Sequence, residues 1–292
     1  MNKVKIKEDI ICSSNINKDI TIAHVSDIHF SVSTKEKELA KLKIAINEIK
    51  PDYVMITGDL IDTVEVTRNY NKIKELVSFL TEIAKERKVL ISIGNHDVLC
   101  ARDYAFFKKI NDLYNIYVLD NKSYEDANIY VAGFTLPMEY YYNINKNENE
   151  EVLINYLDLR IDLTKNLPNK KPKIALIHSP IKLTENEVIK RLSSYDLILS
   201  GHTHNGMVPE FLDFLFKDNI GFIAPNKCLF PTIAKGKIIK NIGKHELTII
   251  INGGYTKIPK KSGKVLSNLN FLYNKSLNKI LVRKKRGIKY EN

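Results

Sequence analysis

Apolar and polar positions along this chain follow two periods. The segments 21–26, 53–57, 89–93, 173–177 and 196–200 are almost continuously apolar and read as strands buried on both faces. Between them the period lengthens to that of a helix. Over 34–49, Leu39, Leu42, Ile46 and Ile49 fall three and four apart with Lys and Glu between them; over 71–84, Ile73, Leu76, Val77, Leu80 and Ile83 do the same. Pro51-Asp52 stops the first helix and opens the next strand. This β-α-β-α-β order predicts right-handed crossovers and a partly parallel sheet. Further along, helices are expected over 104–113, 150–163 and 185–192, and strands over 116–119, 128–134, 237–242 and 246–251. Residues 143–151 read as a polar surface loop, and 4–6 as an edge strand.

The strands end on a recurring chemistry. The first closes on Asp27-Ile28-His29, the second on Gly58-Asp59, the third on Gly94-Asn95-His96-Asp97, and the last on Gly201-His202-Thr203-His204; a further apolar run ends at His178. Residues i and i+2 of an extended segment face the same way, so Asp27 with His29, and His202 with His204, can approach one ion together. Asp, His and Asn without a thiolate suit Mn2+, Fe or Zn2+ better than Ca2+ or a soft metal. Glycine before a ligand lets the backbone turn sharply or approach a bound group closely. Five of the seven histidines lie at these ends, whereas His24 and His245 read as structural residues. Asp62, Asp103 and Asp120 read as cap or turn residues.

Composition narrows the class. The chain has 292 residues, 44% hydrophobic and 27% charged, enough for a sizeable core in one domain with late embellishments. No apolar run is long enough to span a bilayer, and the first residues lack the apolar centre of a signal peptide. The expected location is cytoplasmic, with peripheral attachment to a membrane as an extension of that reading. Cys12, Cys100 and Cys228 are widely spaced, which argues against disulfides or a thiolate zinc site. The net charge of +11 fits a solvated Lys-rich surface or attraction to a polyanion. Part of it is local: Lys275, Lys279, Arg283, Lys284, Lys285, Arg286 and Lys289 face only Glu291 in that stretch.

The ordered set Asp27-x-His29, Gly58-Asp59, Gly94-Asn95-His96-Asp97, His178 and Gly201-His202-x-His204 resembles the calcineurin-like metallophosphoesterase superfamily. The resemblance implies an α/β fold, a four-layer α/β/β/α sandwich of two mixed sheets flanked by helices, with two metals at the C-terminal edges of the strands. It implies that Asp27, His29 and His204 bind the first metal, that Asn95, His178 and His202 bind the second, and that Asp59 bridges them. His96 would be the proton donor and Asp97 would orient it. The implied reaction is phosphoester hydrolysis by a hydroxide bridging two divalent ions, Mn2+ before Fe or Zn2+.

Within the superfamily the chain is most similar to the bacterial single-domain branch. Purple acid phosphatases place a Tyr ligand where Asp62 stands, and lipid A pathway pyrophosphohydrolases usually carry Arg at the place of His96. The last motif departs from the branch's usual Gly-His-Thr-His-Gly-Gly-Gln at Asn205 and Met207, on the pocket rim. The run Phe211-Leu212-Asp213-Phe214-Leu215-Phe216 reads first as a core-packing helix, and alternatively as an exposed lip for a lipid or membrane surface, with the basic tail drawing anionic headgroups. Tyr140-Tyr141-Tyr142 reads equally as a substrate platform or a packed cluster. The expected partners are a phosphoester substrate and an anionic membrane surface, with nucleic acid and a nuclease activity ranked behind them and no protein partner indicated. A non-catalytic scaffold is the remaining alternative, and the intact ligands and His96 argue against it. The expected organisation is a leader or edge segment over 1–20, the catalytic domain over 21–255 and a basic extension over 256–292 that packs on that domain.

Overall fold

The computed structural model describes residues 4–284 apart from 14, 17, 101–103, 143–145, 217–218, 224–228, 244, 257 and 259–267. The strands are β1 (Lys5–Ser13), β2 (Ile20–Val25), β3 (Tyr53–Thr57), β4 (Lys88–Ser92), β5 (Ile116–Val118), β6 (Lys122–Glu125), β7 (Tyr130–Phe134), β8 (Lys173–Ile177), β9 (Leu197–Ser200), β10 (Gly236–Ile242), β11 (His245–Ile251) and β12 (Ser276–Lys284). The helices are α1 (Glu36–Ile49), α2 (Tyr70–Ala84), α3 (Asn95–Cys100), α4 (Tyr104–Asn111), α5 (Met138–Tyr142), α6 (Lys146–Asp158), α7 (Ile161–Thr164) and α8 (Asn186–Leu192). The strands form two six-stranded mixed sheets, ordered β1-β12-β2-β3-β4-β5 and β10-β11-β9-β8-β7-β6.

Alternation along each central strand assembles the layers. In β3, Tyr53 and Met55 enter the core between the sheets, while Val54 and Ile56 face the helix side with Leu42 and Leu80. In β8, Ile174 and Leu176 face the first sheet, and Ala175 and Ile177 pack with Leu153 and Leu192. Three hydrophobic layers therefore separate helix, sheet, sheet and helix, the expected α/β/β/α sandwich. The parallel strands β2, β3, β4, β8 and β9 end at one edge, which fixes where their polar ends meet.

The periodic helices lie close to their expected spans. Lys50 takes a left-handed φ of 50° and closes α1 before Pro51; Asn69 caps α2 by accepting from the Lys72 N–H at 3.1 Å. One expectation changes, and some strands go beyond the sequence reading. The loop over 143–151 is helical from Lys146, because α6 grows from the buried Leu153, Tyr156 and Leu157; 143–145 lie outside the described residues. β6 gives little sequence signal, because it is an edge strand with mostly exposed side chains. The N-terminal segment and the basic extension supply β1 and β12 to the first sheet, with β12 between β1 and β2; 285–292 and Cys228 lie outside the described residues. No helix among the described residues is long and apolar enough to cross a membrane.

At the opposite edge from the strand ends, one carboxylate fastens the sheets together. Asp126 Oδ2 accepts from the Tyr53 hydroxyl (2.8 Å), Lys88 Nζ (2.9 Å) and the Tyr124 hydroxyl (2.9 Å), and its Oδ1 accepts from the N–H groups of Asn128 and Ile129. Burial alone would raise this carboxyl's pKa, but the Lys88 bond and the other donors hold it well below the usual range. A carboxyl pKa lowered on folding contributes stability above its unfolded value near 4, and that contribution fades as pH falls through the folded value. Asp126→Asn is therefore expected to cost ~1–3 kcal/mol at pH 7, with the gap from wild type narrowing in urea titrations repeated at acid pH.

Candidate metal centre

The edge where the parallel strands end brings the sequence-predicted residues together. Asp27 and His29 follow β2, Asp59 follows β3, Asn95 and His96 open α3 after β4, His178 follows β8, and His202 and His204 follow β9. Asp27, His29, Asp59, His202 and His204 all have φ between +46° and +65°. Left-handed backbone costs roughly 1–2 kcal/mol at a residue with a Cβ, and such conformations gather at functional sites. The glycines allow the close approach. Gly58 has φ +72°, and a Cβ there would lie 2.7 Å from the Gly94 backbone and from His178 Nδ1; a Cβ on Gly201 would overlap Ser26 Oγ and lie 2.5 Å from Asp27 Oδ2.

Three groups that could hold a metal ion result. Asp27, His29 and His204 each bring one donor atom within 4.8 Å of the others, and so do Asp59, His178 and His202. Asp59 joins the two. Its Oδ1 accepts from the His96 N–H at 2.8 Å, while its Oδ2 lies 3.6 Å from His29 Nε2 and 3.2 Å from His178 Nε2. The third group, His29, Asp62 and His96, overlaps the first.

Electrostatics and unmet hydrogen bonds agree with this geometry. Burial alone would raise the carboxyl of Asp27 and lower the imidazole of His29. Neighbouring histidines instead hold Asp27 well below the usual range, and the close carboxylates of Asp27, Asp62 and Asp59 push His29 up to about 10. The Asp59 charge similarly pushes His178 up to about 9 against its burial, and Asp59 itself is held well below the carboxylate range. Burial and the neighbouring His178 push His202 down to about 3. Concentrated negative charge thus favours positive charge in the site. Asp27 Oδ1, His29 Nε2, Asn95 Oδ1 and His178 Nε2 are buried with no hydrogen-bond partner. The His178 ring is fixed by its Nδ1, 2.7 Å from the Thr57 carbonyl, which turns Nε2 into the site. A set of oxygen and imidazole donors with these atoms unmet fits two divalent ions.

The surroundings differ from the sequence reading in two places. Asp97 does not reach His96: its two oxygens accept from the N–H groups of Ile61 and Gly94, both at 3.0 Å, and burial beside Asp59 pushes its pKa up to about 6. Asp97 therefore ties the β4 turn to the β3 turn. The carboxylate beside His96 belongs to Asp62, whose Oδ1 lies 3.2 Å from His96 Nδ1 and 3.4 Å from His29 Nδ1. Its place three residues after Asp59 was the available signal. The β11 end was also missed, although Ile249 to Gly254 repeats an apolar strand followed by Asn and Gly. There Asn252 Oδ1 accepts from the Gly254 N–H at 2.7 Å, and the Tyr255 and Thr256 N–H groups hold the Ser26 and Asp27 carbonyls at 2.8 Å.

The two remaining histidines are structural as expected: His24 Nε2 meets Thr57 Oγ1 at 2.8 Å and His245 Nε2 meets the Tyr195 carbonyl at 2.7 Å. Asp120 accepts from the Thr135 hydroxyl, and Asp103 lies outside the described residues. The three tyrosines separate. Tyr140 is buried and donates to the Ile181 carbonyl, Tyr142 is exposed, and Tyr141 sets its ring 5.2 Å from that of His202, its buried hydroxyl unpartnered.

Residues 20–206, more than half of the chain, match the calcineurin-like phosphoesterase family. The chain belongs to that family. An uncharacterized metallophosphoesterase of Campylobacter jejuni is 29% identical over 213 residues, covering 72% of this chain and 50% of that protein. One from Aquifex aeolicus is 25% identical over 226 residues, covering 75% and 77%. This calcineurin-like chain thus spans about half the length of the Campylobacter relative. Among solved structures, a dimetal phosphatase from Danio rerio aligns with a TM-score of 0.45 at 11% identity, covering 83% of this chain and 90% of that one.

Proposed function

We propose that this calcineurin-like chain is a two-metal phosphohydrolase, that it prefers phosphodiesters, and that Mn2+ is its metal. The observation that carries the two-metal reading is the position of Asp59, with one oxygen tied to the His96 backbone and the other between His29 and His178. Asp27, His29 and His204 would hold one ion, Asn95, His178 and His202 the other, and Asp59 both. Two such ions would supply a nucleophile at neutral pH and neutralise charge on the phosphoryl oxygens.

The chain's own groups do the remaining work. His96 donates the proton to the leaving oxygen. The main-chain carbonyl of Asp62, 3.2 Å away, receives the Nδ1–H of His96 and leaves Nε2 as the atom that gives up the proton, while the Asp62 carboxylate lies 3.2 Å from the same Nδ1. The same carboxylate lies 3.4 Å from His29 Nδ1, so its charge acts on both a proposed metal ligand and the acid. Tyr141 offers its unpartnered hydroxyl to a phosphoryl oxygen.

The test is hydrolysis of an activated aryl phosphodiester and its matching monoester by metal-stripped protein, with and without Mn2+. Mn2+-dependent turnover favouring the diester is expected. Preference for the monoester would replace the diesterase reading with a phosphatase. Two bound ions with no turnover of either would overturn the catalytic reading.

A further inference from the structure

Between positions 211 and 230, Phe211, Phe214, Leu215, Phe222, Leu229 and Phe230 all stand exposed, Phe214 by 81% and Leu215 by 63%. The segment expected to pack into the core is a 3-10 turn, Glu210–Leu215, that turns Phe211, Phe214 and Leu215 outward. Phe216, Phe222 and Phe230 continue the surface through edge contacts at centroid distances of 6.3 and 6.0 Å. An exposed apolar cluster of this kind marks an interaction surface.

The lip is rooted in the loop that carries His202 and His204. The Gly206 carbonyl accepts from the N–H groups of Phe222 (2.8 Å) and Ile223 (3.0 Å), and the Thr203 hydroxyl donates to the Ala234 carbonyl at 2.7 Å. Cations flank it. Lys5 and Lys7 line a recess with Asn205, Val208 and Asp213; Lys7 Nζ reaches Asn205 Oδ1 at 3.5 Å, and Lys235 pairs with Asp213 and lies over the Phe216 ring. Lys7 and Lys235 stand with Asp213 and Asp9, so attraction to an anionic surface comes from the +11 of the chain as a whole. A second copy of this chain is a poor occupant, since each copy carries +11. Exposed rings on a chain of this net charge match a lipid interface bearing anionic headgroups.

We propose that this lip docks on an anionic lipid bilayer, and that the phosphoester brought to the metal site is a membrane lipid. The second clause rests on the two-metal reading above; the docking itself does not. Rings entering the headgroup boundary would hold the His202–His204 loop, a few residues away in sequence, at the level where lipid phosphates lie.

The test is co-sedimentation of the metal-loaded full chain with phosphatidylcholine vesicles, with and without phosphatidylserine. Binding to the anionic vesicles is expected, weakened by added salt. The triple variant Phe211→Ser, Phe214→Ser, Leu215→Ser should lower the partition coefficient ~10-fold or more. The separate pair Leu229→Ser, Phe230→Ser should lower it in the same direction, while Tyr114→Ser, equally exposed elsewhere, should not. No sedimentation of wild type, or equal binding by the triple variant, would overturn the docking. So would a dimer in velocity sedimentation that the triple variant loses. In vesicles, the ratio of phospholipid turnover to soluble diester turnover should fall in the triple variant; an unchanged ratio would overturn the lipid substrate. Vesicle binding without turnover of any ester would instead count against the two-metal reading.

Discussion

Asp59→Asn is expected to leave the chain folded but unable to hold two ions, with turnover falling by ~10³-fold or more. The substituted amide keeps an oxygen that can accept from the His96 N–H, now 2.8 Å from Oδ1, so the local backbone loses nothing. Its NH2 then occupies the place of Oδ2, 3.2 Å from His178 Nε2 and 3.6 Å from His29 Nε2. There it can donate to a neutral imidazole, which satisfies the metal-free site and removes the shared charge. Elemental analysis should find one ion or none per chain, and the thermal unfolding of metal-free wild type and variant should be alike. Full turnover with two bound ions would remove Asp59 from its proposed place.

The second large effect separates the two groups around the proposed acid. His96→Ala should retain the metals and slow esters with poor leaving groups by ~10²–10⁴, with much smaller losses for activated aryl esters, which leave without a proton. Asp62→Asn should behave differently. It keeps a polar side chain beside both imidazoles but withdraws the charge 3.2 Å from His96 and 3.4 Å from His29. It should reproduce part of the leaving-group dependence and also weaken metal affinity ~10–100-fold, as loss of a supporting carboxylate does. An equal loss on good and poor leaving groups after His96→Ala would rule out the proton-donor role. Unchanged metal affinity after Asp62→Asn would confine Asp62 to His96.

What can be read in the sequence follows from periodicity and from the ends of periods. The central strands are apolar on both faces, and each metal-type residue closely follows one, so the gathering of Asp27, Asp59, Asn95, His178 and His202 at one edge needs only two stacked sheets whose parallel strands end on the same side. The missing parts are set by contacts distant along the chain. β12 pairs with β1 from more than 250 residues away, as Lys5 with Ser276, and nothing local announces it. Asp62 looks like a turn residue until the His29 and His96 rings close over it. Asp97, adjacent to His96, points to the backbone of Gly94 and Ile61, because on the first turn of a helix a carboxylate finds N–H groups more readily than its neighbour's ring. The Phe211 segment has the composition of a core element, and only its placement outside the two sheets turns it outward.

The layer of Met55, Leu90, Ile174, Leu176 and Leu199 between the sheets has a consequence at the strand ends. Asp27 and His29 stand on one sheet and His204 on the other; Asn95 and Asp59 stand on one sheet, His178 and His202 on the other. Each proposed ion would therefore take its ligands from both plates, and the thickness of the apolar layer sets the gap they span. Metal–ligand bonds tolerate deviations of about 0.2 Å, less than the change in side-chain length made by one methylene. The core thus acts as a gauge block for the site, and a substitution such as Leu176→Ala, far from any ligand in kind, alters the gap to which both ions are fitted.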